Sequence, residues 1–372
     1  MDQLITDQQW RNRAASAEAA VAARHLRKLL KVPGTQLGVV GWPPTAKDSS
    51  FATWHYWWQA HLLDTLVDAE VRDPAPERVE KIKRQIRGQF TRNNGRWTNS
   101  YYDDMAWLAL ALERAGRLAG VPNPKALSTL SAQLVDSWSP QDGGGIPWRK
   151  KDRFFNAPAN GPAGIFLARH GNLARAGEMA DWVDRTLIDP ETHLVFDGIK
   201  EGSLVRAQYT YCQGVVVGLE TELAIRTGDP RHGARVRRLV PAIAGHMAPG
   251  GVLKGAGGGD GGLFAGITAR YLALAATGLP GDSAADVATR EAARDIVLAS
   301  ARAAWDNRAE VDGLPLFAAF WDRAAVVPGA AEESGDRVDG AVFESPCPER
   351  DLSVQVSGWM LMEAAYAVSA AT

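Results

Sequence analysis

The stretch Glu77-Arg-Val-Glu-Lys-Ile-Lys-Arg-Gln-Ile-Arg87 and, one connector later, Met105-Ala-Trp-Leu-Ala-Leu-Ala-Leu112 decide the fold class between them. In the first, Val79, Ile82 and Ile86 fall at i, i+3 and i+7, so its helix carries one apolar stripe in a charged surround. The second is apolar at every position, and a helix that is apolar on every face is buried on every face.

These two characters alternate along the whole chain. Helical segments are expected at roughly 7–31, 52–71, 75–93, 102–119, 124–137, 159–170, 172–187, 206–227, 230–247, 261–277, 284–305 and 353–370. The odd members are amphipathic. The even members are apolar nearly all round, as in Gly262-Leu-Phe-Ala-Gly-Ile-Thr-Ala-Arg-Tyr-Leu-Ala-Leu-Ala-Ala276, which holds one charge. Almost nothing reads as a strand. Six buried helices alternating with six amphipathic ones predict an all-α fold, an (α/α)6 barrel of six inner and six outer helices, as one domain over residues 1–372. Two successive helical bundles are the competing architecture. No fixed period recurs, which excludes an open helical-repeat array.

Composition sets the outer limits. Of 372 residues, 46% are hydrophobic and 23% charged, which excludes a disordered chain. Lys plus Arg (41) nearly balance Asp plus Glu (43), so no global basic excess drives binding to nucleic acid or to an anionic membrane. No run of 18 apolar residues predicts a membrane span, and the Arg- and Ala-rich start has no apolar signal core, so a cytoplasmic protein is expected, or a secreted one if a leader has been removed. Cys212 and Cys347 form no C-x-x-C pair, and the histidines have no metal-ligand spacing, so neither a metal nor a cofactor is expected. Gly257, Gly259 and Gly262 satisfy G-x-G-x-x-G, but without a preceding strand they suit close backbone approach to a ligand better than a dinucleotide. The 13 tryptophans outnumber the 10 phenylalanines, and a Trp brings an N–H that needs a partner when buried. Trp107, Trp182, Trp305 and Trp359 fall where a core is expected, whereas Trp54, Trp57, Trp97 and Trp148 lie near the starts of even segments.

In a barrel of this kind the inner helices run parallel, so the segments leading into them share one end. Those segments hold most of the aromatic and amide clusters, and they locate the functional face. Tyr101-Tyr-Asp-Asp104 opens the fourth segment. Ser100-x-x-Asp103 fits a helix capping box, but a cap needs only one carboxylate. Adjacent carboxylates beside a low-dielectric core push their pKa values apart, leaving an anion and an acid. Glycoside hydrolysis uses such a pair, and neighbouring helix positions favour the closer spacing of retention. An aspartate-rich magnesium motif is the other reading of the pair, but D-D-x-x-D is incomplete here.

With Tyr102-Asp-Asp-Met-Ala-Trp107, Gly143-Gly-Gly-Ile-Pro-Trp-Arg-Lys150, Asn156-Ala-Pro-Ala-Asn-Gly-Pro162, Tyr209-Thr-Tyr-Cys-Gln-Gly214 and Gly258-Gly-Asp-Gly-Gly-Leu-Phe264 in this order, most of the chain resembles glycoside hydrolase family 76, the endo-α-1,6-mannanases and their relatives. The resemblance implies an (α/α)6 fold and cleavage of α-1,6-linked mannosides with retention, Asp103 acting as nucleophile and Asp104 as general acid/base. Cys212 departs from the pattern, standing where an Asn is expected. A carbohydrate partner follows, an α-1,6-mannan or mannooligosaccharide. Tyr102, Trp148, Tyr209 and Tyr211 are the expected ring and hydroxyl contacts, and Asn156, Asn160, Gln213 and Asp260 the expected hydrogen-bonding groups. A transglycosylase and a non-catalytic glycan-binding barrel remain as alternatives. Segment 306–352 is expected to act as a wall or lid of the cleft.

Overall fold

The computed structural model describes residues 5–140, 143–329, 337–338 and 341–371. Twelve long helices follow in order among them: α1 (Asp7–His25), α2 (Tyr56–Arg72), α3 (Pro76–Arg92), α4 (Tyr102–Ala119), α5 (Pro124–Asp136), α6 (Ala157–Arg169), α7 (Leu173–Thr186), α8 (Thr210–Thr227), α9 (Pro230–His246), α10 (Phe264–Gly278), α11 (Ala284–Asp306) and α12 (Leu352–Ala370). The even helices each pack on the next, and α12 returns to α2, which closes the inner ring. Each outer helix lies against an inner one: α3 on α2, α5 on α4, α7 on α6, α9 on α8, α11 on α10 and α1 on α12. The expected barrel is the observed one.

Local sequence explains the asymmetry between its two ends. Inner-to-outer turns are short and strongly signalled. Gly120 and Gly228 take left-handed caps at φ 65° and 68°, and the next helices open on Asn123-Pro124 and Asp229-Pro230. Outer-to-inner connections, at 26–55, 93–101, 137–156, 187–209, 247–263 and 307–351, are longer and carry all the described strands. The strands form four small antiparallel sheets of two or three members. Segment 7–31 was expected to be helical throughout, but α1 ends at His25, because Leu26–Arg27 pairs with Leu37–Gly38 as a hairpin.

A side-chain amide recurs as the fourth residue of four inner helices. Gln59 accepts from Gly38 N–H at 2.9 Å and donates to Gly38 O at 2.8 Å. Asn160 does the same to Ile146 (2.8 and 2.9 Å), Gln213 to Val195 (2.7 and 2.9 Å) and Gln355 to Phe317 (3.1 and 2.9 Å). Each also donates to a backbone carbonyl just before its own helix. The long connections thus dip into the barrel mouth with their backbone groups satisfied by the inner ring. The fourth residues of the remaining inner helices are Met105 in α4 and Ile267 in α10.

Close approach sets the inner-ring spacing. A Cβ on Gly214 of α8 would sit 2.6 Å from Thr268 Cα of α10, so only glycine fits. Farther along the inner helices Arg114 pairs with Asp64 and Asp68, and Arg270 reaches the same carboxylates at 2.9 and 2.5 Å, all four lining a second cavity of about 290 Å³.

Replacing Gln213 by Met removes both partners of Val195 while keeping side-chain length. Urea unfolding is expected to show a loss of about 2–6 kcal/mol, since each of the two stranded buried groups costs about 1–3 kcal/mol.

Candidate active site

The outer-to-inner connections surround a cleft of about 1060 Å³, at the top of the roughly 300–1,000 Å³ range of small-molecule sites. Asp103 and Asp104 lie in the first turn of α4 and line it, where the positive end of the helix dipole favours carboxylates. The capping box that Ser100 and Asp103 could form is absent. Tyr101 occupies the N-cap position without a side-chain cap, and Asp103 faces the cleft instead.

Each oxygen of Asp103 has a donor. Trp148 Nε1 donates to Oδ2 and the Asp104 backbone N–H to Oδ1, both at 2.8 Å. These donors favour the anion. Against them, burial first and the Asp104 charge second push the Asp103 pKa well above the ordinary value of 3.8, with Asp260 adding to the rise. Asp104 is itself buried and accepts from Asn99 Nδ2. The pair therefore holds one proton more tightly than two separate aspartates would.

Asp260 organises the opposite side. Its Oδ1 accepts from the indole N–H groups of Trp57 (3.0 Å) and Trp58 (2.9 Å), and its Oδ2 accepts from Val342 N–H at 2.8 Å. The Val342 contact makes the described part of segment 306–352 a wall of the cleft, while residues 330–336 and 339–340 of that segment lie outside the described residues. The wall is fixed further where Glu344 accepts from Gly258 N–H (3.0 Å) and Asp351 from Gly259 N–H (2.8 Å). Aromatic rings complete the lining. Tyr211 stacks on Phe264 at 3.9 Å, Tyr209 stands 42% exposed beside them, and Trp54, Trp148 and Phe154 face the same space. Trp107 forms part of the lining as well as the core, with His61 packed between it and Trp57. Burial lowers the His61 pKa to about 3, so this ring is neutral.

Of the residues proposed from sequence, Asp103, Asp104, Trp148, Asn156, Tyr209, Tyr211 and Asp260 meet in this cleft. Three do not. Asn160 and Gln213 are wholly buried, their amides engaged by loop backbone, and Tyr102 lies outside the lining, which Tyr101 enters in its place. Asn156 has a double position, since it also caps α6 through Ala159 N–H at 3.2 Å. Trp97 lies outside the lining and packs on Phe90. Sequence reasoning missed Asp197, a lining carboxylate whose pKa burial raises to about 6. Its thiol partner is Cys212, with Sγ 3.8 Å from Oδ1. Nothing in the sequence around Asp197 marks it.

The model of the family described as Glycosyl hydrolase family 76 matches residues 13–326. The chain belongs to this family. Membership places it among the glycosidases. Its fold is similar to that of the GH76A α-1,6-mannanase from Salegentibacter sp. HEL1_6, with a TM-score of 0.80, 28% identity, and coverage of 96% of this chain and 99% of that one. An inactive variant of that mannanase, with two adjacent aspartates replaced by asparagine, is in complex with α-1,6-mannotriose; it matches at 27% identity and TM-score 0.80 over the same shares of both chains. Dfg5 from Chaetomium thermophilum, in complex with glucosamine, shares the fold at TM-score 0.74 and 16% identity, with 100% of this chain and 93% of that one covered. None of the curated proteins matches the chain.

Because the folded chain raises the Asp103 pKa, folding takes up a proton there, and stability is lost as pH rises from about 4 through the raised value. Asp103→Asn removes that loss. Its melting temperature is expected to exceed that of the wild type at pH 7, and the difference to close as pH falls toward about 4.

Proposed function

We propose that the chain is a retaining glycoside hydrolase acting on α-1,6-linked mannosides. One observation carries the reading: two adjacent carboxylates, Asp103 and Asp104, line an aromatic cleft, and Asp103 is oriented by a donor on each oxygen while burial and its neighbour push its pKa up. When Asp104 carries the proton, Asp103 is an anion held by Trp148 and by the Asp104 backbone. Asp103 then attacks the anomeric carbon. The bond to the departing O6 breaks as Asp104 delivers its proton there, leaving a glycosyl ester on Asp103. Asp104, now a base, takes a proton from water, whose oxygen attacks the same carbon and releases Asp103. Two displacements restore the original α configuration.

The mannoside specificity is supported by the mannanase relative, whose inactive variant lacks two adjacent aspartates and binds α-1,6-mannotriose. The lining suits sugars, whose apolar C–H faces stack on rings such as Tyr209 and Trp148.

Incubation with α-1,6-mannotetraose, followed by product sizing, tests this directly. Shorter mannooligosaccharides are expected from the wild type, whereas elongated products would identify transfer to sugar. Asp103→Ala and Asp104→Ala should each lower kcat on the order of 10³-fold or more, with substrate binding retained. Wild-type rates in either variant would remove that aspartate from the mechanism.

A further inference from the structure

The near-zero net charge of the chain conceals a local imbalance. No Asp or Glu occurs between Ala19 and Ala46, a stretch that carries Arg24, Arg27, Lys28 and Lys31. None occurs between Lys81 and Tyr102 either, where Lys81, Lys83, Arg84, Arg87, Arg92 and Arg96 stand. The fold brings the two stretches together. Gln36 N–H donates to Arg84 O at 3.0 Å, and the Arg87 guanidinium lies so close over Gly34 that a Cβ there would be 2.5 Å from Nη1. Lys28, Lys31, Arg84 and Arg87 are exposed, and none of the four forms an ion pair among the described residues.

An apolar tip projects from this basic face. Leu29 is buried in a small cluster with Leu37, Val39 and Phe51, while Leu30 is 61% exposed and Val32 39%. Leu30 and Lys31 both adopt left-handed backbone, at φ 43° and 62°. That conformation is costly for a leucine, and strain of this kind concentrates where a protein makes contacts for function. Here it turns Leu30 outward beside a buried Leu29. The tip also has a fixed relation to the cleft, because Trp54 packs on the Leu29 cluster, lines the cleft and lies under the Arg92 guanidinium at 5.3 Å.

We propose that the 30–33 tip and the adjoining basic face of α3 form a docking surface for an anionic phospholipid bilayer, with Leu30 and Val32 entering the headgroup region. Surface cations and a short apolar insertion are the two contributions that hold peripheral proteins on such a surface. A soluble acidic polymer would engage the cations equally well but would gain nothing from the leucine. Docked this way, the chain holds the cleft beside the bilayer, within reach of a glycan carried on lipid; that consequence rests on the glycosidase reading, whereas the docking itself does not.

Flotation of the full chain with vesicles of phosphatidylglycerol and phosphatidylcholine, against phosphatidylcholine alone, tests the surface. Binding is expected with phosphatidylglycerol only, and to weaken as salt is added. Leu30→Ser should weaken it about tenfold, because a serine leaves less apolar surface to enter the headgroup region. Arg84→Glu with Arg87→Glu should weaken it about fivefold or more for each charge removed. Both variants should cleave soluble mannooligosaccharide at the wild-type rate. Absence of binding at low salt, or wild-type binding by Leu30→Ser, overturns the proposal. So does competition by a soluble acidic polysaccharide that leaves Leu30→Ser indistinguishable from wild type, which assigns the face to a polymer. A chain that binds vesicles but cleaves no mannoside keeps the docking surface and loses the glycosidase reading.

Discussion

The backbone of a loop that enters a protein interior must find hydrogen-bond partners, and that constraint shapes the working end of this barrel. Gln59, Asn160, Gln213 and Gln355 meet it in the same way, each one turn into an inner helix and each gripping one loop residue by its N–H and C=O. The gripped residues Gly38, Ile146, Val195 and Phe317 fix the connections that carry the cleft walls. In α4 the same turn presents Asp103 and Asp104 to the cleft, and in the run leading into α10 a glycine-dense segment presents Asp260.

The chemistry follows from where charge is permitted. Asp260 accepts from three N–H donors and ties Trp57, Trp58 and Val342 into one frame. The Asp103–Asp104 pair is different, since burial and the neighbouring charge oppose ionisation of Asp103, and the proposed mechanism draws its acid proton from this pair. Farther along the inner helices, Arg114 and Arg270 pair with Asp64 and Asp68, so the charges lining the second cavity are balanced there. In the proposed mechanism, function and stability thus pull apart at one residue, Asp103.

The helices were legible because burial on all faces and burial on one face leave different sequence patterns. The strands were not, being two or three residues long and fixed by loop pairing rather than by alternation. The aspartate pair was legible because two adjacent carboxylates before an apolar run exceed what capping requires. Asn160 and Gln213 misled because an amide beside aromatic residues reads the same whether it faces a sugar or a backbone. Tyr101 and Tyr102 differ by one position at a helix start, and the rotation per residue decides which faces the cleft. Asp197 was hidden because a lone aspartate before a short strand carries no pattern; only the folded chain sets it against Cys212.

The double displacement proposed at Asp103 leaves a stereochemical record in the product. Proton NMR of the wild-type enzyme cleaving α-1,6-mannotriose, recorded before mutarotation, reads the anomer released first. Two displacements at Asp103 release the α anomer at the new reducing end, and this is the expected result. The β anomer appearing first would mean a single displacement by water and would contradict the nucleophilic role of Asp103.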